Sequence, residues 1–220
     1  MSGYDYEYEW DGEYCYPNSY VLKNKLDIKD AATLSEAERR ITALNLLELK
    51  DNPVCGKFNL KHLRDIHRAI FGDIFAWAGN LRTVDISKGN QFCLCRHLET
   101  YSDGIFAKLK ADKFLSEVKA EEMPERLTFY LSEINVLHPF RDGNGRAQRV
   151  FIEYLAQSAG FYVDFSTVDG REMIEASALS FACEYEMMND MFKRIISSIT
   201  LRERQIFREK IGLNRHEHER

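Results

Sequence analysis

The stretch His138-Pro139-Phe140-Arg141-Asp142-Gly143-Asn144-Gly145-Arg146-Ala147-Gln148-Arg149 constrains this chain more than any other. It joins two helical patterns. The incoming one opens at Pro124, a favoured first helical residue, and repeats Leu127, Leu131 and Ile134 along one stripe. Pro139 stops it. A residue before proline is driven towards extended backbone, so His138 is expected at a break, where its ring can face a cleft. The outgoing helix is expected from about 145 to 159, with Val150, Phe151, Tyr154 and Leu155 apolar and Gly160 closing it.

Between the helices, glycines flank Asn144. They permit positive φ, so successive N–H groups can converge into an anion nest. The unpaired N–H groups of the new helix point the same way, and its dipole adds positive potential. Arg146 and Arg149 are three apart on that helix and share a face. Cations in a first turn are unfavourable by a few tenths of a kcal/mol to ~1 kcal/mol, so two of them call for an anion. A polyphosphate fits, because guanidinium forks bind its oxygens in pairs. The plainer reading is a turn in which Asn144 caps the helix. That leaves an imidazole, a carboxylate and two guanidiniums without a purpose. A calcium loop would put Asp142, Asn144 and Glu153 at its first, third and twelfth positions, but Arg146 and Ala147 fall where an oxygen ligand and a glycine are required.

The stretch resembles the signature of Fic-domain proteins, His-x-Phe-x-Asp/Glu-Gly-Asn-Gly-Arg-x-x-Arg, at every fixed position. Residues 71–82 (Phe71-Gly72-Asp73 through to Asn80-Leu81-Arg82) are similar to the family's approach to its substrate-docking hairpin, and Leu22 to Leu26 to the start of many bacterial members. The resemblance runs over roughly residues 14–200. It implies an all-α fold, the Fic helical bundle with one small β-hairpin flap beside the catalytic loop. It also implies transfer of AMP from ATP to a protein hydroxyl with release of pyrophosphate. In that scheme His138 is the general base on a Tyr, Thr or Ser hydroxyl and Asp142 holds Mg2+. Gly143, Asn144 and Gly145 cradle the α- and β-phosphates. Arg146 meets the β-phosphate, Arg149 the γ-phosphate, and Phe140 anchors the loop in the core. Neutral imidazole suits the base's task, and magnesium usually takes one or two carboxylates plus phosphate oxygens.

At 220 residues one domain is expected, and 45% hydrophobic content fits a soluble globular chain. The net charge of −5 argues against general nucleic-acid binding. No apolar run reaches membrane-span length, and no signal peptide is evident. Five scattered cysteines, Cys15, Cys55, Cys93, Cys95 and Cys183, favour reduced thiols and a cytoplasmic location, without a zinc knuckle.

The expected division is an acidic, Tyr-rich leader (1–16), a Fic-like domain (17–200) and a C-terminal helix end with a polar tail (201–220), which includes His216 and His218. A helix is expected over 34–50, capped near Ser35, with Leu34, Ala37, Ile41, Leu44 and Leu47 inward. A second, capped by Asn59, runs to Phe71 with Leu60, Leu63, Ile66, His67 and Ile70 inward. His62 and His67 are placed poorly for a metal. Residues 82–96 read as the only strand pair, turning at Lys88-Gly89-Asn90. In the family this flap pairs with extended target backbone, so Lys88 and Phe92 are expected to shape target choice. A helix follows over 97–112, and two more over 170–190 and 191–210.

Many family members carry an inhibitory Ser/Thr-x-x-x-Glu-Gly/Asn helix whose Glu pairs with the second motif arginine. Only Ser180 and Glu184 have that spacing here, and Tyr185 follows. The expectation is that a separate small antitoxin protein supplies the Glu and contacts Arg149. Toxin-like relatives of this size act on cytosolic proteins, type II topoisomerases among them. The competing readings are a Fic-fold transferase of another nucleotide, of phosphate or of phosphocholine, and a non-catalytic interaction module.

Overall fold

The structure, a computed structural model, describes residues 12–213; the tail His216-x-His218 and most of the leader lie outside them. Helix α5 (Asn144–Ala159) is the axis of the bundle. It packs against α2 (Leu60–Phe71), α4 (Met123–Leu137) and α8 (Leu201–Lys210). Its sequence explains this place. Ala147, Val150, Phe151, Ile152, Tyr154, Leu155, Ala156 and Ala159 are all buried, so the covered arc of α5 is wider than the one face expected and leaves a half-buried stripe of Arg146, Arg149, Glu153 and Gln157. Gly160, left-handed at φ 107°, ends it.

Helix α1 (Ala31–Asp51) lies on the outside against α2. Its cap is Asp30, whose carboxylate accepts the Thr33 N–H, and not Ser35. Its buried stripe is Leu34, Thr42 and Leu49, whereas Leu44 and Leu47 are 66% and 60% exposed. Steps of three and four chosen in the order 34, 37, 41, 44, 47 drift off the stripe: at about 100° per residue, Leu47 sits roughly 220° round from Leu34. Helix α2 is as expected except that Leu60, in its first turn, is only half-buried. The Asn59 side chain accepts the His62 N–H, and Leu63, Ile66, His67, Ile70 and Phe71 are buried.

The hairpin is real but short: β1 (Ser87–Lys88) pairs with β2 (Asn90–Gln91) across Gly89, φ 74°. It is not the only strand pair. After Gly160 the chain forms β3 (Phe161–Val163), antiparallel to β4 (Ile196–Ser198), a non-local pairing too short to show a period. The final third holds three helices, not two: α6 (Gly170–Phe181), α7 (Glu186–Ile195) and α8. Cys183, at φ 64°, turns the chain between α6 and α7. A capping box of Thr200 and Glu203 starts α8; that Thr-x-x-Glu spacing was visible in the sequence. Ser180 is buried in the last turn of α6, while Glu184 is exposed beyond it, so the two share no helix. Helix α3 (Leu98–Ala111) flanks α4. Tyr14 and Cys15 are buried against the domain. Among the described residues no helix is long and apolar enough to cross a membrane.

Candidate active site

His138 follows the last turn of α4. Its backbone is left-handed (φ 42°, ψ 60°), not extended as the proline rule suggested. Ending the helix prevails over the pre-proline preference: the His138 N–H closes back on the Ile134 carbonyl, and the His138 carbonyl accepts from Arg82 Nε at 2.9 Å. A left-handed non-glycine residue costs ~1–3 kcal/mol and persists only where its surroundings fix it. The ring is held as well. Nδ1 lies 3.1 Å from the Asn135 carbonyl, which can only accept, so Nδ1 carries the proton and the lone pair is on Nε2. Phe92 of the flap stacks on the imidazole at 3.7 Å and 15°. Burial pushes its pKa down to about 3; the Asn135 hydrogen bond opposes this, and the smaller effects of the Arg82 and Lys88 charges add to the lowering. The ring is therefore a neutral base at working pH.

The loop after it is built from inside. Phe140 is fully buried and stacks on His67 at 3.9 Å. Asn144 is fully buried; its amide donates to the Phe140 carbonyl (2.8 Å) and its oxygen accepts the Phe140 N–H (2.9 Å). Its side chain thus staples the loop, and only its backbone can face an anion. Gly143 alone takes positive φ (77°), and a Cβ there would stand 2.3 Å from the Phe71 ring. Gly145 is helical; its bare Cα lets the Arg149 guanidinium close in, since a Cβ would lie 3.3 Å from Nη1. The Asp142 carboxylate accepts the Gly143 N–H at 2.6 Å, and the His67 Nε2–H donates to the Asp142 carbonyl at 2.9 Å. His67, read from sequence as an ordinary core or surface residue, is a strut of the loop: its Nδ1 accepts the Gly79 N–H at 2.9 Å.

The two arginines part company. Arg146 turns towards α1, where it is ion-paired to Glu38, donates to Thr42 Oγ1 at 3.2 Å and lies over the Phe71 ring. Arg149 makes no hydrogen bond or ion pair among the described residues. It is half-buried, and burial followed by repulsion from Arg146 lowers its pKa, with only the Glu153 charge opposing. It borders two cavities. One, of ≈270 Å³, also takes in His138, Gly145 and Gln148, the flap residues Lys88, Asn90 and Phe92, Leu131 and Asn135 of α4, and Met173, Ile174, Ser177, Ala178 and Phe181 of α6. The other, of ≈560 Å³, lies between α1, α5 and β3. The α6 wall is the part that sequence reasoning could not place; its apolar spacing reads equally well as core. The structure brings His138, Gly145, Arg149, Lys88 and Phe92 to one cleft. Arg146 shares the second cavity with Arg149 but is ion-paired to Glu38, which also feels the Asp142 charge.

Residues 57–156 match the Fic/DOC family. The Fic protein of Escherichia coli (strain K12), named "Probable protein adenylyltransferase Fic", is 34% identical over 185 residues, covering 84% of this chain and 92% of its own length. The chain belongs to the Fic/DOC family. The protein adenylyltransferase VbhT of Bartonella schoenbuchensis is 37% identical over 192 residues, 87% of this chain but 40% of its own length. Among solved structures, the Fic domain of a Bartonella quintana effector with bound ADP superposes with a TM-score of 0.82 at 30% identity, over 86% of this chain and 97% of that one. The BepC effector of Bartonella tribocorum, with bound AMPPNP, gives 0.80 at 26% identity, over 86% and 99%.

Proposed function

We propose that this Fic protein moves AMP from ATP to a hydroxyl of a protein substrate. The observation that carries the reading is Arg149, an unpaired, half-buried guanidinium in one cleft with a neutral imidazole whose lone pair is on Nε2. A triphosphate supplies the absent counter-charge, and the nucleotide-bound neighbours and adenylyltransferase relatives support that ligand. In the reaction the substrate oxygen bonds to the α-phosphorus, the bond to the bridging oxygen breaks, and pyrophosphate leaves. The hydroxyl proton passes to His138 Nε2. Arg149 and the Gly145 N–H hold the phosphates, and the α6 wall takes the base. Asp142 is the residue to hold Mg2+, which offsets phosphate charge. Among the described residues no group of three ligating side chains exists, so this carboxylate fits only a metal whose other ligands come from nucleotide and water. Arg146 serves the β-phosphate if the ion pair with Glu38 opens.

The flap docks the substrate as an added strand, with Lys88 and Phe92 at its cleft side. Regulation falls to a separate antitoxin whose Glu reaches Arg149. The groove between α1, α5 and β3 supports this, since it reaches Arg149 and is lined by exposed Leu47. The setting is a toxin-like enzyme of the cytoplasm, with type II topoisomerases one class of target. Incubating the chain and a lysate with α-labelled or γ-labelled ATP tests the chemistry. Protein label from the α position alone is expected, lost in His138→Ala; label only from the γ position would refute AMP transfer.

A further inference from the structure

Arg82 was read from the sequence only as part of the approach to the flap. In the structure its side chain is wholly buried, 0% exposed. All its hydrogen bonds go to main-chain carbonyls or come from its own N–H, and they join three segments. Nε donates to His138 O at 2.9 Å and the backbone N–H to Pro139 O at 2.9 Å. Nη1 donates to Val84 O at 2.7 Å, on the first leg of the hairpin, and Nη2 to Cys93 O, on the second. The Cys93 N–H in turn donates to Val136 O of α4 at 3.0 Å. Its counter-ion is Asp85, 3.7 Å away and about half exposed.

A buried cation is a costly way to fill space, because apolar side chains of the same volume usually serve stability as well or better. Its distinguishing property is a rigid fork of donors. Here a fork is needed. The hairpin has only two residues in each strand, so its own ladder fixes its position weakly. The residue it must face, His138, has a left-handed backbone that needs its carbonyl held. The Phe92 ring comes from the same hairpin and covers the imidazole, so any slip of the hairpin moves a wall of the base's pocket.

We propose that Arg82 is a positioning residue that locks both legs of the flap to the backbone of the catalytic base, and so sets the register of the docked substrate strand against His138. This rests on the reading of the flap and base given above. One guanidinium spans carbonyls from the catalytic loop and from each hairpin leg; a single ammonium cannot. The substrate hydroxyl and the base are thereby held to a common frame, and misplacement of the order of 1 Å is enough to lose most of the rate.

The test is Arg82→Lys, which keeps the charge and removes the fork. Three quantities are measured on the full chain: ATP affinity by calorimetry, release of AMP to water, and α-label transferred to lysate protein. ATP affinity is expected to stay within about threefold, while transfer falls about tenfold or more and drops relative to hydrolysis. Hydrogen exchange should quicken at Phe92 and Cys93 and stay unchanged along α5. A parallel fall of ATP affinity, hydrolysis and transfer, or unchanged transfer with unchanged flap exchange, would overturn the proposal. If the Lys variant does not fold, Asp85→Asn at the exposed end of the network replaces it. A roughly threefold lower transfer-to-hydrolysis ratio with quicker flap exchange supports the proposal; wild-type values for both overturn it. Should the unmodified chain transfer no α-label at all, the function reading fails by itself, and the exchange data still decide whether Arg82 holds the flap.

Discussion

Replacing Arg149 with methionine should raise stability and weaken ATP binding at once. In the nucleotide-free chain Arg149 is a half-buried cation with no hydrogen-bond partner among the described residues, and Arg146 repels it. Partly desolvating a charge without a protein partner is unfavourable, although solvent still reaches this half-buried guanidinium. A methionine of similar length removes that cost and finds apolar company in Met173 and Val150 along the two cavities it borders. Loss of the Glu153 attraction takes part of the gain back, so unfolding free energy should rise by about 1 kcal/mol, some 2–4 °C in Tm for a chain of this size. Binding moves the other way. A hydrogen bond to a charged group is worth ~1.5–3 kcal/mol, and ~1.4 kcal/mol is tenfold in affinity, so ATP should bind about 10–150-fold more weakly. Calorimetry reads both, as a thermal scan and as a titration. A variant that melts several degrees lower while binding ATP as tightly as before would show that Arg149 is a structural residue, and the argument from a missing counter-charge would fail.

Acid should weaken the fold before it silences the base. Burial depresses His62 to about 4 and His67 and His138 to about 3. Each is neutral when folded and takes a proton near 6.5 when unfolded, so each loses stability as pH falls below that value. Glu153, raised by burial to about 7, binds its proton earlier in the folded state and opposes one of the three, and buried Glu38, also raised, trims the rest. The unfolding free energy should drop by roughly 2–4 kcal/mol between pH 6.5 and 5, as denaturant titrations would show, and a flat profile would contradict the buried-histidine picture. Over the same range kcat/KM, corrected for folded fraction, should show no acid limb near 6.5. Asn144→Ala removes both bonds to Phe140 and should cost ~2–4 kcal/mol together with most activity; full activity with a looser fold would free Asn144 from its stapling role. Leu47→Ser should change the stability of the free chain by less than ~0.5 kcal/mol, whereas Leu49→Ala should cost ~2–4 kcal/mol. Equal losses in urea melts would put Leu47 back in the core.

Much of the site was legible because its grammar is local. Pro124, Pro139, Gly143 and Gly160 punctuate two helices whose ends meet, and the loop between them carries its chemistry within twelve residues. Helix α1 was misread because a stripe assembled by hopping three and four residues drifts round the helix, and only α2 packing beneath it shows which face is covered. The pair β3–β4 was missed because its strands are three residues long and their partners lie over thirty residues apart.

The sequence by itself determined the catalytic vocabulary: an imidazole at a helix end, a carboxylate, a glycine-made nest and two arginines on one helical face. These follow from spacing along one chain, and spacing needs no partner to be read. Only the tertiary structure decided how the charges are shared. Glu38, more than a hundred residues away, meets Arg146, while Arg149 makes no hydrogen bond among the described residues. Arg82 reaches across from the flap to hold the carbonyl of the base. Electrostatic energy depends on distance through space and on who else is buried nearby, and neither quantity is written in the order of residues.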